Sequence, residues 1–182
     1  LTKLGGIGVS AMMHGYLAFD AAGELLAPFR TWRNTTTEQA AELLTAEFGF
    51  NIPQRWSIAH LYQAILNGES HVKDVAFLTT LAGYVHWKLT GEKVLGVGDA
   101  SGMFPLDSTS NSSNAVMEEK FDALVSGRGY GWKLVDLLPK VLAAGYKVGV
   151  LTAVVALMLD LTDQPDPGAP MCSPGGASGT AM

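Results

Sequence analysis

The hydrophobic pattern of this chain changes its period near Thr35, and that change limits the folds open to it. Upstream, apolar and small residues run through Ile7 to Met13, Tyr16-Leu17-Ala18-Phe19 and Leu25-Leu26-Ala27-Pro28-Phe29, with a turn-like Asp20-Ala21-Ala22-Gly23 before the last run. Short apolar runs separated by turn residues predict strands with tight connections. Downstream, Ala40, Leu43, Leu44 and Phe48 recur at helical spacing behind a Thr35/Glu38 capping box. A second helical pattern joins Ile58, Leu61, Tyr62, Ile65 and Leu66 and stops at Asn67-Gly68; a third joins Leu81, Tyr84, Val85 and Leu89 before Gly91. Met117, Phe121, Leu124 and Val125 predict another, and Leu134 to Leu142 a turn or two more. Strands first and helices after, without a repeated strand-helix-strand period, predict a mixed α/β domain with a local sheet edge and a helical layer.

Composition narrows the function classes. With 182 residues, 48% hydrophobic and 16% charged, the chain holds enough apolar material for the core of one domain. Twelve basic residues against seventeen acidic ones leave a formal charge of -5. That balance offers no electrostatic footprint for a phosphate backbone, so nucleic acid is not an expected partner. The single cysteine, Cys172, cannot close an intrachain bridge, and the cytoplasm is the expected compartment. The longest apolar run, Val148 to Leu159, falls short of the ~18 to 20 residues that span a bilayer and predicts a buried helix; no membrane partner is expected. The opening Leu1-Thr2-Lys3-Leu4 has neither an initiator methionine nor a signal core and reads as the middle of a longer chain, and the Pro- and Gly-rich stretch after Asp160 reads as loop.

Three places carry candidate chemistry. Met12-Met13-His14-Gly15 ends the first apolar run, where an imidazole can face a ligand and Gly15 lets the backbone turn; a structural, hydrogen-bonded histidine is the simpler reading. Trp32-Arg33-Asn34 brings an aromatic face, a guanidinium and an amide to a strand-to-helix junction. Such groups suit sugars and polyols, whose C–H faces pack on indole and whose hydroxyls accept Arg and Asn hydrogen bonds. Asp99, in the glycine-punctuated Gly96-Val97-Gly98-Asp99-Ala100-Ser101-Gly102 loop, is either a carboxylate for proton transfer or hydroxyl recognition or an Asx-turn former. His60, His71 and His86 have no Cys or carboxylate partners at ligand spacing, so no metal site is expected. No G-x-x-x-x-G-K-[ST] loop occurs, and Gly5-Gly6-Ile7-Gly8 does not form a dinucleotide fingerprint.

Taken in order, Ile7 to Gly15, Trp32-Arg33-Asn34, Lys88-Leu89-Thr90-Gly91 and Asp99 to Asp107 resemble the Q-M-H-G-like, W-x-D-x-R-like, K-L-T-G and D-x-S-G segments of the FGGY carbohydrate kinases. The resemblance implies an actin-like, ribonuclease H-like α/β domain, incomplete here. It implies 1–34 as strands and sugar-pocket segment, 35–145 as helical layer and loop, and 146–182 as a weakly matching tail towards a second kinase domain. It implies a parent enzyme that moves the γ-phosphate of ATP, with Mg²⁺, to a sugar or polyol hydroxyl, and substrate contacts at Met13, His14, Trp32, Arg33, Asn34 and Asp99. Asn34 stands where the family commonly has an acid and Thr36 where it commonly has an arginine.

The tail Cys172-Ser173-Pro174-Gly175-Gly176-Ala177-Ser178-Gly179-Thr180-Ala181-Met182 resembles a family segment of the form C-P-P-E-G-D-A-G-T-G-M, whose aspartate is the base for the sugar hydroxyl. That aspartate falls on Ala177, and the family's phosphate loop and nucleotide-holding second domain are not among the matched segments, so by resemblance the chain alone is expected to be inactive and to bind neither ATP nor Mg²⁺. The alternative is a non-catalytic sugar-binding or protein-interaction module derived from a sugar kinase. Exposed cleft surface on a domain without its partner makes a homodimer a further expectation.

Overall fold

A computed structural model describes residues 5–159, 170–172 and 175–176. In chain order the first half contains β1 (Ser10–Ala11), β2 (Gly15–Phe19), β3 (Arg30–Thr31), α1 (Glu38–Phe48), α2 (Ser57–Leu66), β4 (Phe77–Thr79), α3 (Leu81–Thr90) and β5 (Val94–Gly96). The second half contains α4 (Val97–Ala100), β6 (Leu106–Asp107), β7 (Ser112–Ser113), α5 (Ala115–Val125), α6 (Leu134–Leu137), β8 (Lys140–Leu142), β9 (Lys147–Val150), α7 (Ala153–Leu159), β10 (Pro170–Cys172) and β11 (Gly175–Gly176).

Helix and sheet are mixed, and the expected local sheet edge is corrected: most strand pairs join parts of the chain far apart in sequence. β2 lies between β3 and β4, antiparallel to both, with Gly15 opposite Thr31 and Leu17 opposite Thr79. β5 pairs with β8 in parallel, and β1 with β11. All five residues of β2 are buried, because α2 covers the strand. Tyr16, Leu44, Ile58, Leu61, Ile65, Leu78 and Leu95 form the main core with Phe104 and Phe121. Each such side chain contributes roughly 1.5–3 kcal/mol on burial, and Leu61→Ala at the α2 face costs about 2–5 kcal/mol.

Local chemistry explains most helix boundaries. Thr80 caps α3 by accepting from Gly83 N at 3.1 Å, Asn114 caps α5 by accepting from Met117 N at 3.1 Å, and Gly91 ends α3 with φ +83°.

Three further expectations are corrected. The Thr35/Glu38 capping box does not form: Asn34 Oδ1 accepts from Thr36 N and Oγ1, Thr37 Oγ1 donates to Gln54 O, and the helix starts at Glu38 itself. Leu25 to Phe29 is not a strand; only Leu25 bridges Phe19, and Pro28 has no N–H to extend a ladder. The helical turn expected within Leu134 to Leu142 does form, as α6, before the chain enters β8. Val148 to Leu159 is not a buried helix. Gly149, at φ +66°, lies in β9, and α7 exposes Val154, Leu157 and Met158 at 64, 64 and 77%.

Candidate functional site

Four segments meet at the start of β2. Gly15 N donates to Arg55 O at 3.1 Å, and Ser57 Oγ donates to Gly15 O at 2.6 Å, so the first turn of α2 is fastened to the strand's first residue. Gly15 has φ +122°, and a Cβ there would meet Arg30 O at 2.4 Å. Only glycine fits this position. Ile58 N donates to Met103 O at 3.1 Å, which brings in the chain after α4. β3, paired through Gly15 and Thr31, supplies the fourth segment.

His14 and Trp32 leave the same end of this β2–β3 ladder. The half-buried His14 ring lies on the α-carbon of Gly102: a Cβ at Gly102 would come within 3.0 Å of Cδ2 and 3.2 Å of Nε2, and within 2.5 Å of Met13 O. Burial first, and then the positive charge of Arg55, hold the His14 pKa below its ordinary value. The imidazole is therefore neutral at neutral pH, with one nitrogen donating and the other accepting. Trp32 is 49% exposed, and the Arg33 guanidinium stacks 5.2 Å from its ring centre.

Asn34 and Asp99 are occupied differently. The Asn34 carboxamide oxygen is committed to the turn before α1. Asp99 is fully buried; its Oδ2 accepts from Thr80 Oγ1, while Oδ1 has no hydrogen-bond partner. Burial pushes its pKa up to about 7, and the Thr80 bond only partly opposes this. Thr80 thus links the cap of α3 to the carboxyl. The Lys88-Leu89-Thr90-Gly91 segment ends α3: Gly91 N donates to Trp87 O at 2.7 Å and Thr90 Oγ1 to His86 O at 2.8 Å.

Behind β2 a polar network braces the corner. Tyr16 hydroxyl and His71 Nε2 are 3.0 Å apart, His71 Nδ1 lies 3.5 Å from Glu69 Oε2, and Glu69 pairs with Arg30. The Arg30 guanidinium covers the Tyr16 ring at 5.3 Å. His60, on α2, is buried at 6.3 Å from the same ring with no hydrogen bond to either nitrogen, and its pKa falls to about 4, through burial and then Arg30.

Sequence reasoning missed two participants. Arg55 stands in a Pro53-Gln54-Arg55-Trp56 segment with no periodicity to mark it. Gly102 was legible as a loop glycine, but its contact with His14 was not.

Two hollows lie away from this corner. One is an apolar cavity of about 10 Å³ among Ala100, Met103, Phe104 and Leu138; the other is an open groove of about 500 Å³ between α1 and residues 51–54.

No protein-family model and no curated protein matches the sequence. Solved structures do. The chain superposes on a xyloylose kinase from Brucella ovis with TM-score 0.76 and 23% identity, covering 96% of this chain and 34% of that one. It superposes equally on a xylulose kinase from Lactobacillus acidophilus (TM-score 0.77, 15% identity) and a gluconate kinase from the same organism (0.77, 16%), again covering 96% of this chain and 34% of theirs. The fold is that of the carbohydrate kinases. The chain spans about a third of the length of the kinases it matches.

Among the described residues of this kinase fold, no group of three or more His, Cys, Asp or Glu could hold a metal ion, and no helix is long and apolar enough to cross a membrane. Ala177 lies outside the described residues.

Proposed function

We propose that this chain carries the sugar-binding wall of an FGGY-type carbohydrate kinase, in an actin-like, ribonuclease H-like domain, and that the corner around His14 and Trp32 binds a sugar or polyol. The observation that supports this reading is the Gly15–Thr31 pairing, which brings residues 14 and 32 next to each other at one end of one ladder. The neutral imidazole offers one donor and one acceptor, the pair a hydroxyl needs, and the exposed indole face suits sugar C–H groups. Met13 and Arg33 flank these two contacts in the reading, while Asn34 acts through the turn before α1 and Asp99 through its hydrogen bond to the Thr80 cap of α3. The kinase fold of the matched xylulose and gluconate kinases supports the substrate class.

The parent activity in this reading is transfer of the ATP γ-phosphate to a sugar hydroxyl, for which the described residues position the acceptor. Among the described residues no three His, Cys, Asp or Glu side chains come together as they would to hold Mg²⁺. Ala177 favours a second reading, a non-catalytic sugar-binding or protein-interaction module derived from such a kinase, because alanine cannot take the proton of the attacking hydroxyl.

Thermal unfolding with a panel of ketoses and polyols tests the pocket. Saturating sugar is expected to raise Tm by several degrees, as linkage requires of a ligand that binds only the folded chain. His14→Ala and Trp32→Ala are expected to abolish the shift while the chain still unfolds cooperatively. The pocket reading is overturned by the absence of any stabilising sugar, or by an unchanged shift in His14→Ala. Sugar-dependent ATP turnover separates the readings: its presence overturns the non-catalytic one.

A further inference from the structure

Trp32 stands where β3 puts it. The indole is 49% exposed, with Arg33 over its ring, and it follows directly on a strand of two residues that pairs with β2 through Gly15–Thr31 and Tyr16–Arg30. A two-stranded ladder of that length holds little by itself. Sterics set its inner limit: Arg30 O would stand 2.4 Å from a Cβ on Gly15, and the Phe29 ring 3.0 Å, so β3 is already seated against β2. The outer limit is set from behind the sheet. There the Arg30 guanidinium crosses the ring of its cross-strand neighbour Tyr16, 5.3 Å from the centre, and pairs with Glu69. Glu69 is tied to the end of α2: its N–H donates to Ala64 O at 3.0 Å, and its Oε1 accepts from Asn67 Nδ2 at 3.4 Å.

The Arg30–Glu69 pair is charged on both sides at neutral pH. Burial alone would raise the Glu69 pKa, but the hydrogen bond and the charge of Arg30 outweigh it and leave the carboxyl below its ordinary value. His71, whose Nδ1 lies 3.5 Å from the same Glu69 oxygen, is held below its ordinary pKa by burial, against the pull of Glu69, and is neutral. Arg30 is therefore the cation on this carboxylate, and a hydrogen bond between two charged groups is roughly twice as strong as a neutral one.

We propose that Glu69 is a positioning residue for the sugar corner: through Arg30 it keeps β3 closed on β2, and that fixes the Trp32 indole beside residue 14. The effect on binding rests on the sugar-pocket reading above; the effect on Trp32 needs no ligand. Glu69 acts from the far side of β2, through a partner 39 residues away in sequence.

The test is calorimetric titration of the chain with the ketose or polyol that raises its Tm most in the panel above. Glu69→Gln keeps the size of the side chain and removes its charge, and it is expected to weaken binding on the order of tenfold, the loss of one charge-assisted hydrogen bond. Arg30→Gln is expected to do the same, and it carries the test should Glu69→Gln fail to fold. The double variant is expected to bind no more weakly than either single one, because all three remove one connection. Glu69→Asp, which keeps the carboxylate, is expected to bind more tightly than Glu69→Gln. Tyr16→Phe is the control: it loses the hydroxyl that meets His71, keeps Arg30 and Glu69, and is expected to bind sugar as the parent chain does. Without any ligand, the NMR resonance of the Trp32 indole N–H is expected to shift in Glu69→Gln and to stay in place in Tyr16→Phe.

If Glu69→Gln lowers Tm while sugar affinity and the Trp32 resonance are unchanged, Glu69 only stabilises the fold; the positioning proposal is overturned and the pocket reading stands. Additive losses in the double variant would overturn the route through Arg30, and Glu69→Asp binding more weakly than Glu69→Gln would overturn the role of the charge. If no sugar binds the parent chain, the pocket reading falls, and the Trp32 resonance decides the positioning: a shift in Glu69→Gln supports it, and an unmoved resonance overturns it.

Discussion

Gly102→Ala isolates the contact on which the His14 corner depends. The backbone of Gly102 does not lie in the left-handed region, so alanine fits its conformation and stiffens the unfolded chain, a gain of about 0.4–1 kcal/mol. Sterics act the other way. The new methyl would stand 2.5 Å from Met13 O, a backbone atom that cannot rotate aside, and 3.0 Å from His14 Cδ2. Overpacking of this kind costs about 1–3 kcal/mol and occasionally more, and the immobile carbonyl puts this site at the upper end. The expected net loss is about 2 kcal/mol, a fall in Tm of roughly 4–8 °C for a chain of this size. Gly98→Ala is the control: its Cβ meets nothing within 4 Å, and it lies in the single turn of α4, so a gain of about 0.5–1 kcal/mol is expected. Urea unfolding gives both numbers, and the His14 ring resonances report whether the imidazole has moved. If Gly102→Ala is as stable as the parent chain with its His14 resonances unshifted, the close approach does not position the ring, and the geometry argued for the corner is wrong.

Three further outcomes concern buried polar groups. Tyr16→Phe removes the hydroxyl that meets His71 and is expected to cost about 1–2 kcal/mol in urea unfolding, with sugar affinity unchanged; lost affinity would place Tyr16 in the site instead of behind it. Asp99→Asn removes a carboxyl whose folded pKa is about 7 against an ordinary 3.8, and relative to the parent chain it is expected to gain about 4 kcal/mol between pH 4 and pH 7, read from paired unfolding curves. His60→Leu removes an imidazole whose pKa falls to about 4 from 6.5, and relative to the parent chain it is expected to gain about 3 kcal/mol as the pH is lowered from 6.5 to 4.

What was legible in the sequence follows the range of the forces involved. α2, α3 and α5 announced themselves because their apolar spacing and their ends, Gly68, Gly91 and Asn114, are local. The α1 start did not, because Thr37 and Asn34 had a choice of partners, and the contact with Gln54, seventeen residues away, decided it. β4 is three residues long and visible only through β2, which it pairs. The exposed face of α7 was unreadable for a similar reason: composition says that Val154, Leu157 and Met158 are apolar, not what covers them. At the candidate site, Met13, His14 and Trp32 were marked by residue type and by resemblance. Arg55 was not marked, because the bond that brings its backbone to the corner, from the Gly15 N–H, joins residues forty apart in sequence.

Asp99 and His60 are both buried with an unpartnered polar atom, and their titrations oppose each other. Between about pH 4 and pH 6.5 the folded chain keeps a proton on Asp99 that the unfolded chain has lost, so stability falls as pH rises. Over the same interval the unfolded chain binds a proton on His60 that the folded chain refuses, so stability rises with pH. Counted together, folded and unfolded states hold equal numbers of protons at this pair, and the two slopes of about 1.4 kcal/mol per pH unit cancel. The parent chain therefore hides both groups. Asp99→Asn alone is expected to make stability rise with pH across this interval relative to the parent, His60→Leu alone to make it fall, and the double variant to restore the parental slope. Opposite slopes from the single variants, with cancellation in the double, require both groups to be buried in the forms described. A double variant that keeps the slope of either single one would show that its partner titrates normally and is open to solvent.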